Sequence, residues 1–257
     1  MLNAKLFDNI VLQESKVHAE QQFPNESVGF VVDGKYVPIK NSHANPEDHF
    51  KVAPKTIAKY SKSIQAIIHS HNITVDPVTN KPRHHPFPSY EDMVTQLKWN
   101  VPFGIQLIND AGSGNILWWG YEPKDIPPLE GRPYIHGVYD CFSLLRDYFK
   151  LTINVDIPDF PRHDAWWDRD DCPNNLYLDN ISSYCDEVDI KDIKQHDVLL
   201  LTIRSKVPNH AMIFEGGDVA IHHLTLNASK REQASRFTNP QSPLFHSVWR
   251  LKQELYK

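Results

Sequence analysis

The chain of 257 residues predicts an α+β protein built as two domains. Three observations lead there. Apolar residues make up 40% of the chain, enough to build real cores, so disorder is not expected. The stretch from Gly120 to Gly137, GYEPKDIPPLEGRPYIHG, holds four prolines and little apolar periodicity, which suits a stiff linker better than a strand or helix. All the cysteines fall in the second half, and no internal repeat relates the halves. The break is therefore placed near residue 125, with a first domain over 1–122, a proline-rich linker over 123–136 and a second domain over 137–257.

The elements follow from periodicity. Leu6, Ile10 and Val17 lie near one helical face of a segment that ends before Pro24. SVGFVVDGKYVPI alternates around Asp33-Gly34, a hairpin signal. SIQAIIHSHN predicts a strand, PSYEDMVTQLKW a helix, and FGIQLIND and NILWWGY two further strands, so the first half is mixed α/β. In the second half a helix starts near Cys141, with shorter helical stretches about Trp166 to Leu178. Strands follow at DVLLLTI, HAMIFE and VAIHHL, and helix first with antiparallel strands after it gives the α+β class.

Composition also excludes. Net charge is −5 with no Lys/Arg run, so neither nucleic acid nor anionic lipid is an expected partner. The most apolar run, 198–203, is far too short for a bilayer, so no integral membrane segment is expected. Residues 1–10 lack the basic flank and apolar stretch of a signal peptide, which points to folding in the cytosol. Cys141, Cys172 and Cys185 cannot all pair and match no zinc ribbon.

Two groups of residues carry chemistry. On a strand, His69 and His71 leave the same face and can share one Zn²⁺, given a third ligand and an open position. Asp92, in the first turn of the next helix, is the third candidate. Glu26, just before the first strand, is placed to act as general base. The same residues have plainer uses: solvated histidines, a Ser89–Asp92 capping box and a surface acid.

In the second half Asp140 suits an N-cap, which puts Cys141 at the first helical position, where helix amides favour a thiolate. Its base would come from HAMIFE and VAIHHL. A three-residue loop over 215–217 sets His210 opposite His222, and a two-residue loop sets it opposite His223. A buried structural thiol and a Cys/His zinc site remain open for the same residues.

The order Glu26, H-x-H, S-x-x-D resembles the JAMM (Mov34/MPN/PAD-1) metallo-isopeptidases over roughly residues 10–120, including NSHANPEDHF. The resemblance implies a JAMM-like domain in which His69, His71 and Asp92 bind Zn²⁺, Glu26 shuttles a proton and Ser89 stabilises the oxyanion. Asn72 stands where the family often has proline. Residues 72–88 form a longer interval than usual, expected to make a flap near the metal with His84 and His85 as rival ligands.

DC at the helix start with HAMIF…IHHL resembles the NlpC/P60 cysteine peptidases over about residues 128–250, which implies a papain-like fold. Cys141 is then the nucleophile, His210 the base and His222 its orienter, with Tyr134 of GRPYIHGVYDC donating to the oxyanion. DCFS replaces the usual DCSG.

The two domains in this order resemble the tail tip assembly proteins of long-tailed bacteriophages, on stretches such as DCFSLLRDYF, WWDRDDCPNNLYL, PNHAMIFEGGDVAIHHL and ASKRE. That implies a tail-associated peptidase with other tail tip proteins and peptidoglycan stem peptides as partners. It would be present in the host cytoplasm during assembly and then in the virion tail tip. A structural assembly factor with one or both sites inactive is the alternative. An isopeptidase acting on a ubiquitin-like modifier would explain the first half alone.

Overall fold

The computed structural model describes residues 7–120, 126–170 and 175–256. Leu6, Cys172 and the break placed near residue 125 lie outside the described residues. The chain divides into two units, Met1–Pro123 and Lys124–Lys257, each with its own sheet.

The first unit opens with α1 (Asn9–Gln22), capped by Asp8, whose carboxylate accepts from the amides of Ile10 and Val11. The helix buries Val11, Ser15 and Ala19, while Ile10 is 67% exposed and Val17 also faces solvent. The face expected from Ile10 and Val17 is thus the wrong one. Small Ser15 and Ala19 let the helix lie close on the sheet, where Val11 packs with Val31, Ala66, Ile68 and Trp118.

β1 (Val28–Val32) and β2 (Lys35–Ile39) form the hairpin, and Asp33 and Gly34 both take positive φ, 49° and 70°. Two left-handed residues in a two-residue loop make the turn that matches strand twist. After α2 (Pro54–Tyr60) come β3 (Ile64–Asn72), α3 (Tyr90–Trp99), β4 (Phe103–Asn109) and β5 (Gly112–Trp119). The sheet order is β2-β1-β3-β4-β5, with β3 and β4 parallel and every other pair antiparallel. A parallel pair needs a crossover, and α3 lies within it. Strand alternation sends Ala66 and Ile68 toward α1, and His69 and His71 to the opposite face.

In the second unit α4 (Cys141–Ile153) buries Phe142, Leu144, Leu145, Tyr148 and Phe149. α5 (Leu176–Asn180) follows, then strands β6 (Cys185–Val188), β7 (Val198–Leu201), β8 (His210–Gly216), β9 (Val219–His222), β10 (Lys230–Gln233) and β11 (Phe245–Leu251). The order is β10-β9-β8-β7-β11-β6, antiparallel throughout. One face packs Val198, Leu200, Ala211 and Ile213 under α4, and the other buries Leu199, Leu201, Met212 and Val248. Both faces are covered, so β7 reads as an unbroken apolar run.

Within the stretch read as linker, residues 128–132 are packed on the second unit. The Gly131 amide donates to Ser229 O, the Ser229 amide donates to Arg132 O, and the buried Arg132 guanidinium pairs with Asp147 of α4. Proline stiffness there holds a surface strap rather than a free spacer.

Leu145 is fully buried in the α4 core. Leu145→Ala is expected to destabilise this unit by about 2–5 kcal/mol, seen as a lower urea midpoint at unchanged slope.

Candidate active sites

Asp140 fixes the start of α4. Its Oδ1 accepts from the Ser143 amide at 2.9 Å and its Oδ2 from the Gly137 amide at 2.9 Å. Arg162 donates to both oxygens, from Nε at 2.8 Å and Nη2 at 3.1 Å, and both side chains are buried. Burial alone would raise the Asp140 carboxyl, but the guanidinium outweighs it and holds the group well below the usual carboxylate range.

Cys141, the first residue of α4, is partly exposed. Its Sγ lies 3.1 Å from the Tyr177 hydroxyl and takes a hydrogen bond from the Ala211 amide. Burial pushes the thiol up, and the Asp140 charge pushes the same way. The surroundings thus oppose the thiolate expected from the helix start. Desolvation and a neighbouring anion outweigh the helix amides.

His210 is buried and its pKa is pushed down to about 3 by that burial, with His222 and His223 adding to the effect. Its Nε2 lies 3.1 Å from His222 Nδ1, and His222 Nε2 lies 3.2 Å from Glu232 Oε2. In the Nε2–H tautomer of His222, the one a nearby carboxylate favours, its Nδ1 accepts from His210 Nε2–H. In that tautomer His210 Nδ1 is unprotonated, the nitrogen a base needs.

The strand register differs from both expected loops. The turn is Gly217-Asp218, both with positive φ, and Gly216 pairs with Val219. A bulge between Phe214 and Gly216 then sets His222 opposite Met212. An offset of two residues preserves the face, so His210 and His222 meet as diagonal neighbours with ring centroids 5.3 Å apart.

Cys141, His210, Tyr134 and Tyr177 line one cleft of about 510 Å³ with Trp166 and Trp167. The Tyr134 ring packs edge-on against His223 at 5.4 Å. Sequence reasoning missed Tyr177 and Glu232. KREQ, the strand carrying Glu232, has neither alternation nor β-branched residues to mark it.

In the first unit Glu26, His69, His71, Ser89 and Asp92 come together. His69 Nε2 lies 3.1 Å from Asp92 Oδ1, and His71 Nε2 lies 3.4 Å from Asp92 Oδ2. Possible ligand atoms of the three buried residues all lie within 4.8 Å of one another. The His71 Nδ1–H donates to His85 O at 2.8 Å, which leaves the Nε2 lone pair facing inward. The two Nε2 atoms are 3.1 Å apart. Converging lone pairs and a carboxylate call for a shared positive charge, so this donor set fits Zn²⁺.

Ser89 Oγ donates to Asp92 Oδ2 at 2.8 Å and accepts from the Asp92 amide at 3.1 Å. The capping box and the orientation of Asp92 are one arrangement. Glu26 is buried, two residues before Val28, which pairs with His69. Burial pushes its carboxyl up to about 8. The insertion folds back through a Val75–Pro82 bridge and sets His84 Nδ1 3.4 Å from Glu26 Oε1. Neither His84 nor His85 joins the clustered ligand set.

Residues 131–250 match the NlpC/P60 family, in which cysteine peptidases are typical. Over 207 residues the chain is 33% identical to tail tip assembly protein K of Escherichia phage lambda, spanning 80% of this chain and 88% of that protein. The chain belongs to the tail tip assembly protein K family. The K protein of Escherichia phage N15 is 27% identical over 225 residues, 83% of this chain and 84% of that one. Among solved structures, NlpC1 from Trichomonas vaginalis aligns at 16% identity and a TM-score of 0.32, covering 56% of this chain and 54% of that one.

The raised thiol and lowered imidazole of this K-family chain set two pH dependences. Iodoacetamide should alkylate Cys141 faster as pH rises, with no plateau below the ordinary thiol pKa of about 8.5, and a plateau near neutrality would mean a stored thiolate. The unfolded chain takes up a proton at His210 below about pH 6.5, whereas the folded chain refuses it down to about 3. His210 therefore lowers stability as pH falls through that window, which denaturation at pH 7 and pH 4 in wild type and His210→Gln reads out.

Proposed function

We propose that the second unit is a peptidoglycan peptidase carried in the tail tip, cutting the stem-peptide amide between γ-D-glutamate and diaminopimelate. The observation that carries this reading is that Cys141 and His210 line one cleft, with His222 and Glu232 in file behind the imidazole. Cys141 gives its proton to His210 Nδ1 as Sγ attacks the carbonyl carbon. His222 and Glu232 hold the ring and stabilise its charged form. The C–N bond breaks as His210 returns the proton to the leaving amine. Water, deprotonated by His210, then attacks the acyl carbon, the C–S bond breaks, and the proton passes from His210 back to Sγ. Tyr134 donates to the oxyanion.

For the first unit we assign Zn²⁺ to His69, His71 and Asp92. When bound, the ion lowers the pKa of a water toward about 7 and polarises a carbonyl. Glu26 moves the proton, Ser89 holds Asp92 in place, and its hydroxyl serves the oxyanion once released from that carboxylate. The substrate class is a peptide or isopeptide amide in a wall crosslink or a tail protein.

The protein folds in the host cytoplasm, joins other tail tip proteins and leaves in the virion tail. A structural assembly role with inactive sites is the second reading, favoured by the raised Cys141 thiol and by the commitment of the Ser89 hydroxyl to Asp92.

Digestion of purified stem peptides with and without chelator, read by mass spectrometry, tests both. Cleavage is expected to survive chelation and to vanish in Cys141→Ser, and undiminished activity in that variant would remove Cys141 as nucleophile. Metal analysis should find about one zinc per chain, lost in His69→Ala. Protein isolated zinc-free without chelators would count against the metal assignment.

A further inference from the structure

The cleft of the second unit holds a charge that the peptidase reading leaves unused. Among its described lining residues Asp140 is the only carboxylate, and Arg162 already neutralises it through two hydrogen bonds. Arg204 also lines the cleft, is exposed, and makes no ion pair among the described residues. The remaining walls mix aromatic and apolar side chains, such as Trp167 and Tyr177, with histidines and uncharged polar groups such as Asn209, Thr225 and Asn227. A cleft with one cation to spare selects an anionic ligand.

The backbone of the loop carrying Arg204 is held in place. Asn209 closes the loop with both ends of its amide: Oδ1 accepts from the Ile203 amide at 2.8 Å, and Nδ2 donates to Ile203 O at 3.0 Å. The Asn209 amide donates to Leu201 O at 3.0 Å, and the Val207 amide to Ser205 Oγ at 3.2 Å. Arg204 itself has φ of 48°, a conformation that side chains other than glycine rarely adopt. The clamp residue is followed directly by His210, so the root of the guanidinium is fixed relative to the base.

We propose that Arg204 is a specificity residue that binds a substrate carboxylate next to the scissile amide, an inference that rests on the peptidase reading above. The chemistry of the substrate supplies such a group. A D-glutamate linked through its γ-carboxyl keeps its α-carboxylate free beside the bond to be cut, and amidation of that carboxylate removes the charge. A guanidinium matches a carboxylate with two parallel N–H donors.

The test compares the peptide L-Ala-γ-D-Glu-diaminopimelate with its α-amide. Wild type should favour the free acid by about tenfold or more in kcat/KM, the scale of one charge-assisted pair. The preference should fall to about one in Arg204→Gln and persist in Lys206→Gln, whose exposed side chain lies on the same loop outside the cleft lining. A ratio is internal to each variant, so partial loss of folded protein does not imitate the effect. Calorimetric binding of both peptides to Cys141→Ala gives the same comparison without turnover. Equal handling of the two peptides by wild type, or an unchanged preference in Arg204→Gln, overturns the role of Arg204 and leaves the peptidase reading standing. Equal loss of preference in Lys206→Gln would reduce the effect to general charge attraction and overturn it too. Wild type that cuts neither peptide, with Cys141→Ala binding neither, overturns the peptidase reading and this inference together.

Discussion

The buried pair of Asp140 and Arg162 is the interaction on which the thiol site depends. Two charges taken out of water are costly unless every remaining hydrogen-bonding position is used. Here the carboxylate accepts from the guanidinium and from the amides of Gly137 and Ser143. The guanidinium also donates to Ser143 Oγ, Phe160 O and Asp159. The network ties the turn before α4, the first turn of the helix and the segment around Arg162 into one body. Cys141 follows Asp140 directly, and removing Arg162 would strand the buried carboxylate, whereas Arg162 keeps Asp159 as a second partner.

The same device appears in the first unit on a smaller scale. Asp92 takes the Ser89 amide and hydroxyl on Oδ2 while its two oxygens face His69 and His71. In both units an acid at a helix start caps the helix and orients chemistry together. In both, strands bring histidines together on one face: His69 and His71 on β3, and His210 and His222 on β8 and β9. Burial sets the tone of each site. It raises the Cys141 thiol and lowers the His210 imidazole, which disfavours a stored thiolate–imidazolium pair.

The features short in sequence are legible from the chain alone. Asp33-Gly34 announces its turn because two adjacent residues must both take positive φ. His69 and His71 share a face because strands alternate, and Ser89 reaches Asp92 because three residues make most of a helical turn. Asp140 ahead of Cys141 is the same kind of local signal. Each rests on geometry fixed within a few bonds.

Other features needed the folded chain. α1 turned its Ser15 and Ala19 side inward because close approach to the sheet outweighed the larger Ile10 and Val17. His222 met His210 from a register that neither counted loop produced, since a bulge beside Glu215 absorbed a residue. Tyr177, Arg162 and Glu232 reach the site from segments whose own composition gives no hint of it, and the Cys141 thiol was raised by surroundings no spacing rule contains. Dihedral preference and side-chain period act between neighbours and are written in the residues themselves. Desolvation, register and the meeting of distant side chains depend on which surfaces exclude water together, and that is settled when the whole domain packs.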